Sequence, residues 1–159
     1  MVQNISMHVS LESVDQPEVI QLIDDLDAYQ APLYPAASNH LLDIESLKAP
    51  NVMFAVARDD EGVAIGCGAV VLFDNYGELK RMFVPPAQRG RGIAKAIIAF
   101  LEAHAVQRNC HLLRLETGIH QPEAHGLYSR AGYERRGPYG EYPDDPLSVF
   151  MEKKIGEMS

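Results

Sequence analysis

Glu78-Leu79-Lys80-Arg81-Met82-Phe83-Val84-Pro85-Pro86-Ala87-Gln88-Arg89-Gly90-Arg91-Gly92-Ile93-Ala94-Lys95 is the stretch on which the fold turns. Glu78 to Val84 reads as a strand, and Pro85 with Pro86 ends its ladder pairing because proline donates no backbone N–H. After Gly92, the residues Ala94, Ile97, Ile98, Leu101 and Ala105 recur at helical spacing, which predicts a long helix to about Arg108. Between strand and helix stand Arg89, Gly90, Arg91 and Gly92. Glycine lets backbone N–H groups turn toward a ligand, and a new helix leaves its first amides unpaired with a partial positive charge. Together these make a cradle for a pyrophosphate. The same glycines could also serve only as a turn between solvated arginines.

Charge points the same way. The chain carries a net charge of −8, yet Lys80, Arg81, Arg89, Arg91 and Lys95 fall in a span with no Asp or Glu. An acidic protein that gathers its cations in one place is equipped to hold an anion there. The overall charge opposes nucleic-acid binding, which rests on Lys and Arg neutralising phosphates. A nucleotide fingerprint beginning at Gly90-Arg91-Gly92 is weak, because Lys95 stands where its third glycine belongs. No GxxxxGK[ST] occurs.

Outward from this stretch, Asn51 to Arg58 and Val63 to Phe73 read as strands of a hairpin turning at Asp59 to Gly62, and Asp74, Asn75 and Gly77 turn the chain into the strand at Glu78. Ile5 to Leu11 alternates like a further strand. Val14 to Tyr29 carries Val19, Ile20, Ile23 and Leu26 at helical spacing, with Asp15 as candidate N-cap. A short helix is expected around Leu41 to Leu47. Leu112 to Thr117 reads as a buried strand, Pro122 to Ala131 as a helix, and Ser148 to Lys153 as a last strand. The expected fold is α+β: a mixed, twisted sheet of about six to seven strands flanked by about four helices.

A length of 159 residues fits a single domain, 1–159, and 47% hydrophobic with 23% charged residues is ordinary for a globular chain. No window approaches the roughly 20 apolar residues of a membrane span, no signal peptide is visible, and two cysteines do not make a disulfide framework. A cytoplasmic protein with no membrane or nucleic-acid partner is expected. His104, His111, His120 and His125 lack metal-ligand spacing, so no metal is expected. Cys67 has no neighbouring His or cation to activate it, and Ser129 lies in no GxSxG elbow.

Here the chain resembles the GNAT superfamily of acetyltransferases. Its motif Arg/Gln-x-x-Gly-x-Gly/Ala is matched by Arg89, Gly92 and Ala94, and a later Ala-x-x-Leu-Tyr-x-x-x-Gly-Phe/Tyr element by Ala124, Leu127, Tyr128, Gly132 and Tyr133. The resemblance spans about residues 52 to 153. It implies a sheet whose fourth and fifth strands splay apart to admit the pantetheine of acetyl-CoA. Met82 and Val84 would offer backbone groups to the pantetheine, Phe83 its N–H to the thioester carbonyl, and Arg89, Gly90, Arg91, Gly92, Ile93, Ala94 and Lys95 would hold the pyrophosphate. Gln121 stands where the family often has Asn, a longer side chain with the same amide.

The implied reaction is acetyl transfer from acetyl-CoA to a primary amine of a small molecule or peptide. An alkylamine has a pKa of about 10.4 and must lose a proton before it attacks. Glu78 is the candidate base and Tyr128 the candidate acid for the departing thiolate. Each also has a plain reading, a surface Glu at a strand start and a packed ring. Tyr34 and Asn39 in the segment Tyr29 to Asn39, and Tyr139 and Tyr142 in the loop Gly137 to Pro146, are candidate acceptor contacts, since aromatic walls with carboxylates suit a cationic amine. The rival reading is a non-catalytic acyl-CoA-binding or sensing module of the same fold. A homodimer is a family-level expectation.

Overall fold

The structure, a computed structural model, describes residues 6–33 and 43–156. Seven strands form one sheet: β1 (Met7–Leu11), β2 (Val52–Asp59), β3 (Ala64–Leu72), β4 (Gly77–Phe83), β5 (Leu112–Gly118), β6 (Glu134–Arg136) and β7 (Ser148–Lys154), in the order β1-β2-β3-β4-β5-β7-β6. Every neighbouring pair is antiparallel except β4 with β5. That pair is parallel because the connection between them is a helical crossover, α2 (Ile93–Gln107), rather than a tight turn. The other α-helices among the described residues are α1 (Pro17–Gln30) and α3 (Pro122–Arg130).

Successive residues of a strand point to opposite faces, and β2 shows the result. Its Met53, Ala55 and Ala57 join a core under α2 with Ile97, Ile98, Leu101, Leu79, Leu113 and Met151. Phe54 and Val56 join a second core under α1 with Val19, Leu22, Ile23, Leu26 and Phe83. Both faces of the sheet are therefore covered. Each fully buried Leu, Ile or Phe contributes about 1.5–3 kcal/mol.

The expected elements differ from the observed ones in a few places. Asp15 does not cap α1; Gln16 occupies that position without a side-chain bond, and Pro17 begins the helix, its missing N–H costing nothing there. Leu22 rather than Ile20 takes the buried position. The segment around Leu41 to Leu47 is a 3₁₀ turn at Ser46–Lys48 as far as it is described. β6 carries no apolar period to announce it, since Glu134-Arg135-Arg136 is a short charged edge strand, a form that discourages edge pairing.

Two features open the sheet at β4. Pairing with β5 runs through Gly77↔Leu113, Glu78↔Arg114 and Leu79↔Leu115 and then stops, so Lys80–Phe83 and Glu116–Gly118 part company. On its other side β4 carries an extra residue, because Cys67 pairs with Phe83 while Ala69 pairs with Lys80. Arg81 lies in this bulge with φ of 57°, a left-handed conformation that costs a non-glycine residue about 1–2 kcal/mol. Its side chain, 4% exposed, is held by Asp27 of α1, which offsets that cost. Beside the bulge, Gly68 leaves room for Met82: a Cβ there would lie 2.2 Å from the Met82 Sδ.

Candidate active site

The divergence of β4 and β5 leaves a first cleft of about 260 Å³. Met82, Phe83 and Val84 form one wall, Leu26 and Tyr29 of α1 another, Gln121, Ala124, Leu127 and Tyr128 of the α3 segment a third, with Arg89, Gly90 and Ala94 at one end. Gly90 and Gly92 adopt φ of 82° and 79°, and open space surrounds the position a Cβ would take at each. Gly92 caps α2 with no side-chain bond, so the first amides of that helix have no side-chain partner. Main chain can thus approach a ligand closely where the helix dipole favours an anion.

Arg89 lies across the mouth of this cleft. Its Nε donates to the Val84 carbonyl at 3.1 Å and its guanidinium stacks over the Tyr29 ring at 5.1 Å. Tyr128 is 7% exposed, and burial pushes its phenol well above the ordinary range, so it keeps its proton at any working pH. Its hydroxyl makes no hydrogen bond to any described residue, which is unusual for a buried polar group and leaves it available to a ligand.

A second cleft of about 630 Å³ lies along β4, lined by Val71, Phe73, Tyr76, Glu78, Lys80 and residues 140–143. Glu78 is 4% exposed, so the surface reading fails. Its Oε2 accepts a hydrogen bond from the Tyr139 hydroxyl at 2.6 Å, its Oε1 lies 3.8 Å from the Lys80 Nζ, and the Tyr142 hydroxyl bonds to the same carboxylate. Tyr142 also accepts a hydrogen bond from Lys80. Burial first, and the Glu78 carboxylate second, push Tyr139 and Tyr142 upward, so both phenols stay protonated as donors. Tyr139 is packed edge-on against Tyr76, Tyr142 and Phe150, and the Arg114 guanidinium lies over the Tyr76 ring at 4.6 Å.

Several expected contacts are rearranged. The five cations do not form one patch: Arg81 is buried against Asp27 and Lys80 belongs to the second cleft. Arg91 is exposed and bonds Gln88, Ile93 is buried in the core at 2% exposure, and Lys95 is exposed on α2; none of the three lines the first cleft. Glu78 and Tyr128 line different clefts. Tyr142 stands in the second cleft wall, whereas Tyr139 lies behind Glu78 as its hydrogen-bond donor. Tyr34 and Asn39 lie outside the described residues.

Sequence reasoning put Tyr29 at the start of the acceptor segment and Lys80 among the anion-binding cations, whereas they line the first and second clefts, and each had a signal for that place. Tyr29 follows Leu26 by one helical step, and Lys80 shares a strand face with Glu78. Arg114 had none, since only the β4–β5 register sets it beside Glu78. The histidines serve separate ends: His104 stacks on Phe100, His111 bonds the Ile155 carbonyl and His125 the Gly118 carbonyl.

Comparison with known proteins bears on this arrangement. Residues 19–133 match the model of the acetyltransferase (GNAT) family. The chain is 45% identical over 149 residues to the IAA acetyltransferase of Azospirillum brasilense, covering 92% of this chain and 97% of the relative. It is 31% identical over 153 residues to the uncharacterized N-acetyltransferase YsnE of Bacillus subtilis, covering 94% and 100%. A Klebsiella pneumoniae structure described as an acyl-CoA N-acyltransferase superposes with a TM-score of 0.81 at 41% identity, covering 94% of this chain and 98% of that one. Parted strands, a glycine-capped crossover helix and these likenesses agree: the chain belongs to the GNAT family and is an enzyme that transfers an acetyl group to an amine.

Proposed function

We propose that the donor is acetyl-CoA, that its pantetheine arm lies in the first cleft along Met82–Val84, and that the acceptor amine enters through the second. The observation that carries this reading is the parting of β4 and β5 after Leu79↔Leu115, with the first cleft beside Met82–Val84 beyond that point and the second farther back along the same strand at Glu78 and Lys80. Main chain at Met82 to Val84, beyond the last β4–β5 pair, suits the pantetheine amides, and the open glycine turn at Gly90 and Gly92 suits the pyrophosphate. Arg89 is the cation at the cleft end, and Gln121, which lines the cleft just before α3, would contact the cofactor.

Glu78 takes the proton of the incoming ammonium, directly or through one water. Tyr139 and Tyr142 hold its carboxylate in place. The Phe83 N–H polarises the thioester carbonyl, and Tyr128 returns a proton to the departing sulfur. The acceptor is a primary amine of a small molecule or peptide: Phe73, Tyr76 and Tyr142 offer ring faces, and Glu78 with Glu141 outnumbers Lys80 among the charges of the second cleft. We place the activity in the cytoplasm, where Cys67 and Cys110, both free, stay reduced.

Calorimetric titration with acetyl-CoA, CoA and ATP tests the donor. Binding of both CoA species, with a gain of about 2.7 kcal/mol at ~100 times Kd, is expected. Preference for ATP, or no response to either CoA species, sinks the reading. A panel of amines scored by thiol release then identifies the acceptor class.

A further inference from the structure

The second cleft already contains an amine. The Lys80 ammonium lies 3.8 Å from Glu78, donates to the Tyr142 hydroxyl and stands 5.1 Å from the centre of the Tyr142 ring. Its side chain is 15% exposed. Lys80 is also the first residue of β4 beyond the last β4–β5 pair, two positions before Met82 in the wall of the first cleft. Carboxylate, phenol and ring face are the groups that would receive an acceptor ammonium, and in this structure they hold one belonging to the chain itself.

We propose that Lys80 is a self-acetylation site, used when no acceptor occupies the second cleft. The proposal rests on the reading of Glu78 as base and of the first cleft as the acetyl-CoA site. Glu78 takes one proton from the ammonium, directly or by way of the Tyr142 hydroxyl, and passes it to solvent. The freed Nζ lone pair forms a bond to the thioester carbonyl carbon, and the C–S bond breaks. The amine's second proton reaches the sulfur by way of Tyr128. Lysine ammonium and acetyl-CoA thus become acetyl-lysine, CoA thiol and one proton, with no further reactant.

The product has consequences for the site. Acetylation removes the Lys80 charge, and with it the ion pair to Glu78 and the contact over the Tyr142 ring. It also places a neutral amide where the acceptor would enter. The modification therefore limits turnover, and a bound acceptor protects against it.

The test is incubation of the full chain with acetyl-CoA and no acceptor, followed over time by intact mass and peptide mapping. Lys48, Lys95 and Lys154 are exposed and report uncatalysed background. Lys80 should be acetylated at least about tenfold faster than these, at a rate per molecule independent of protein concentration, and Glu78→Gln should slow it by about 10²-fold with background unchanged. Lys80 unmodified, or modified no faster than background, while calorimetry shows acetyl-CoA bound, overturns the proposal and leaves the cofactor reading standing. Absence of acetyl-CoA binding overturns both. A folded Glu78→Gln protein that binds acetyl-CoA and labels Lys80 at the unaltered rate overturns the proton path through Glu78.

Discussion

The two clefts share β4 but are made of different material. The first is built largely from backbone and small or apolar side chains: Met82–Val84, the left-handed Gly90, Ala94, and the inner face of α3. The second is built from side-chain charge and ring faces, with Glu78 gripped by Tyr139 from 61 residues away and by Tyr142. A main-chain site binds whatever carries the right acceptors and changes little with substitution. A side-chain site is where specificity and proton transfer can be tuned. One cleft should therefore govern donor affinity and the other rate and acceptor choice.

That division can be broken experimentally, and the largest effect is expected at Glu78. Glu78→Gln should lower kcat by about 10²-fold while the Kd for acetyl-CoA is unchanged by calorimetry, because removal of a general base costs the chemical step alone. A matching loss of cofactor affinity would mean the clefts are not separate in function. Tyr128→Phe should reduce kcat about tenfold with Kd again steady; a kcat equal to that of the unaltered enzyme would reduce Tyr128 to a packing role. Arg89→Ala should act on the other side of the division, raising Kd for acetyl-CoA about fivefold, as fits one exposed charge contact, with kcat at saturation unaffected.

The smallest effect is a control far from both clefts. Arg58 makes three hydrogen bonds to the Glu12 carboxylate, at 2.9, 3.0 and 3.2 Å, and chiefly through them lowers the Glu12 pKa from 4.5 to about 2. A carboxyl depressed in the folded state contributes stability above its unfolded pKa and loses it as pH falls toward the folded one. Glu12→Gln should therefore cost about 1 kcal/mol at neutral pH, allowing for solvent screening, and flatten the decline in Tm between about pH 4.5 and 2. Neither kcat nor Kd should move.

The same contrast explains what the sequence made legible. Glycine spacing, the Pro-Pro strand exit and the helical period of α2 are local signals, so the glycine turn at the end of the first cleft was legible, while the parting of β4 and β5 was implied only by the family resemblance. Glu78 and Tyr142 were both site candidates in sequence, and their meeting in the second cleft depends on how the 137–146 loop folds over β4, which no local pattern encodes. Counting cations misled for the same reason. Lys80 and Arg81 share a charge sign with Arg89, yet alternation along β4 and one bulge send them into separate surroundings. A left-handed Arg81 has no sequence signature, because that conformation is rare for a long side chain and is imposed here by sheet register and the Asp27 contact.

The chain's own sulfur atoms carry a practical dividend. Cys67 is fully buried with its Sγ 3.4 Å from the Arg81 carbonyl, and burial pushes its thiol up to about 12; burial raises Cys110 as well. Neither presents a thiolate to a dye in solution while the fold is intact. A colorimetric thiol reagent can thus stay in the cuvette throughout turnover and register liberated coenzyme alone. The day its blank begins to climb, the preparation is unfolding.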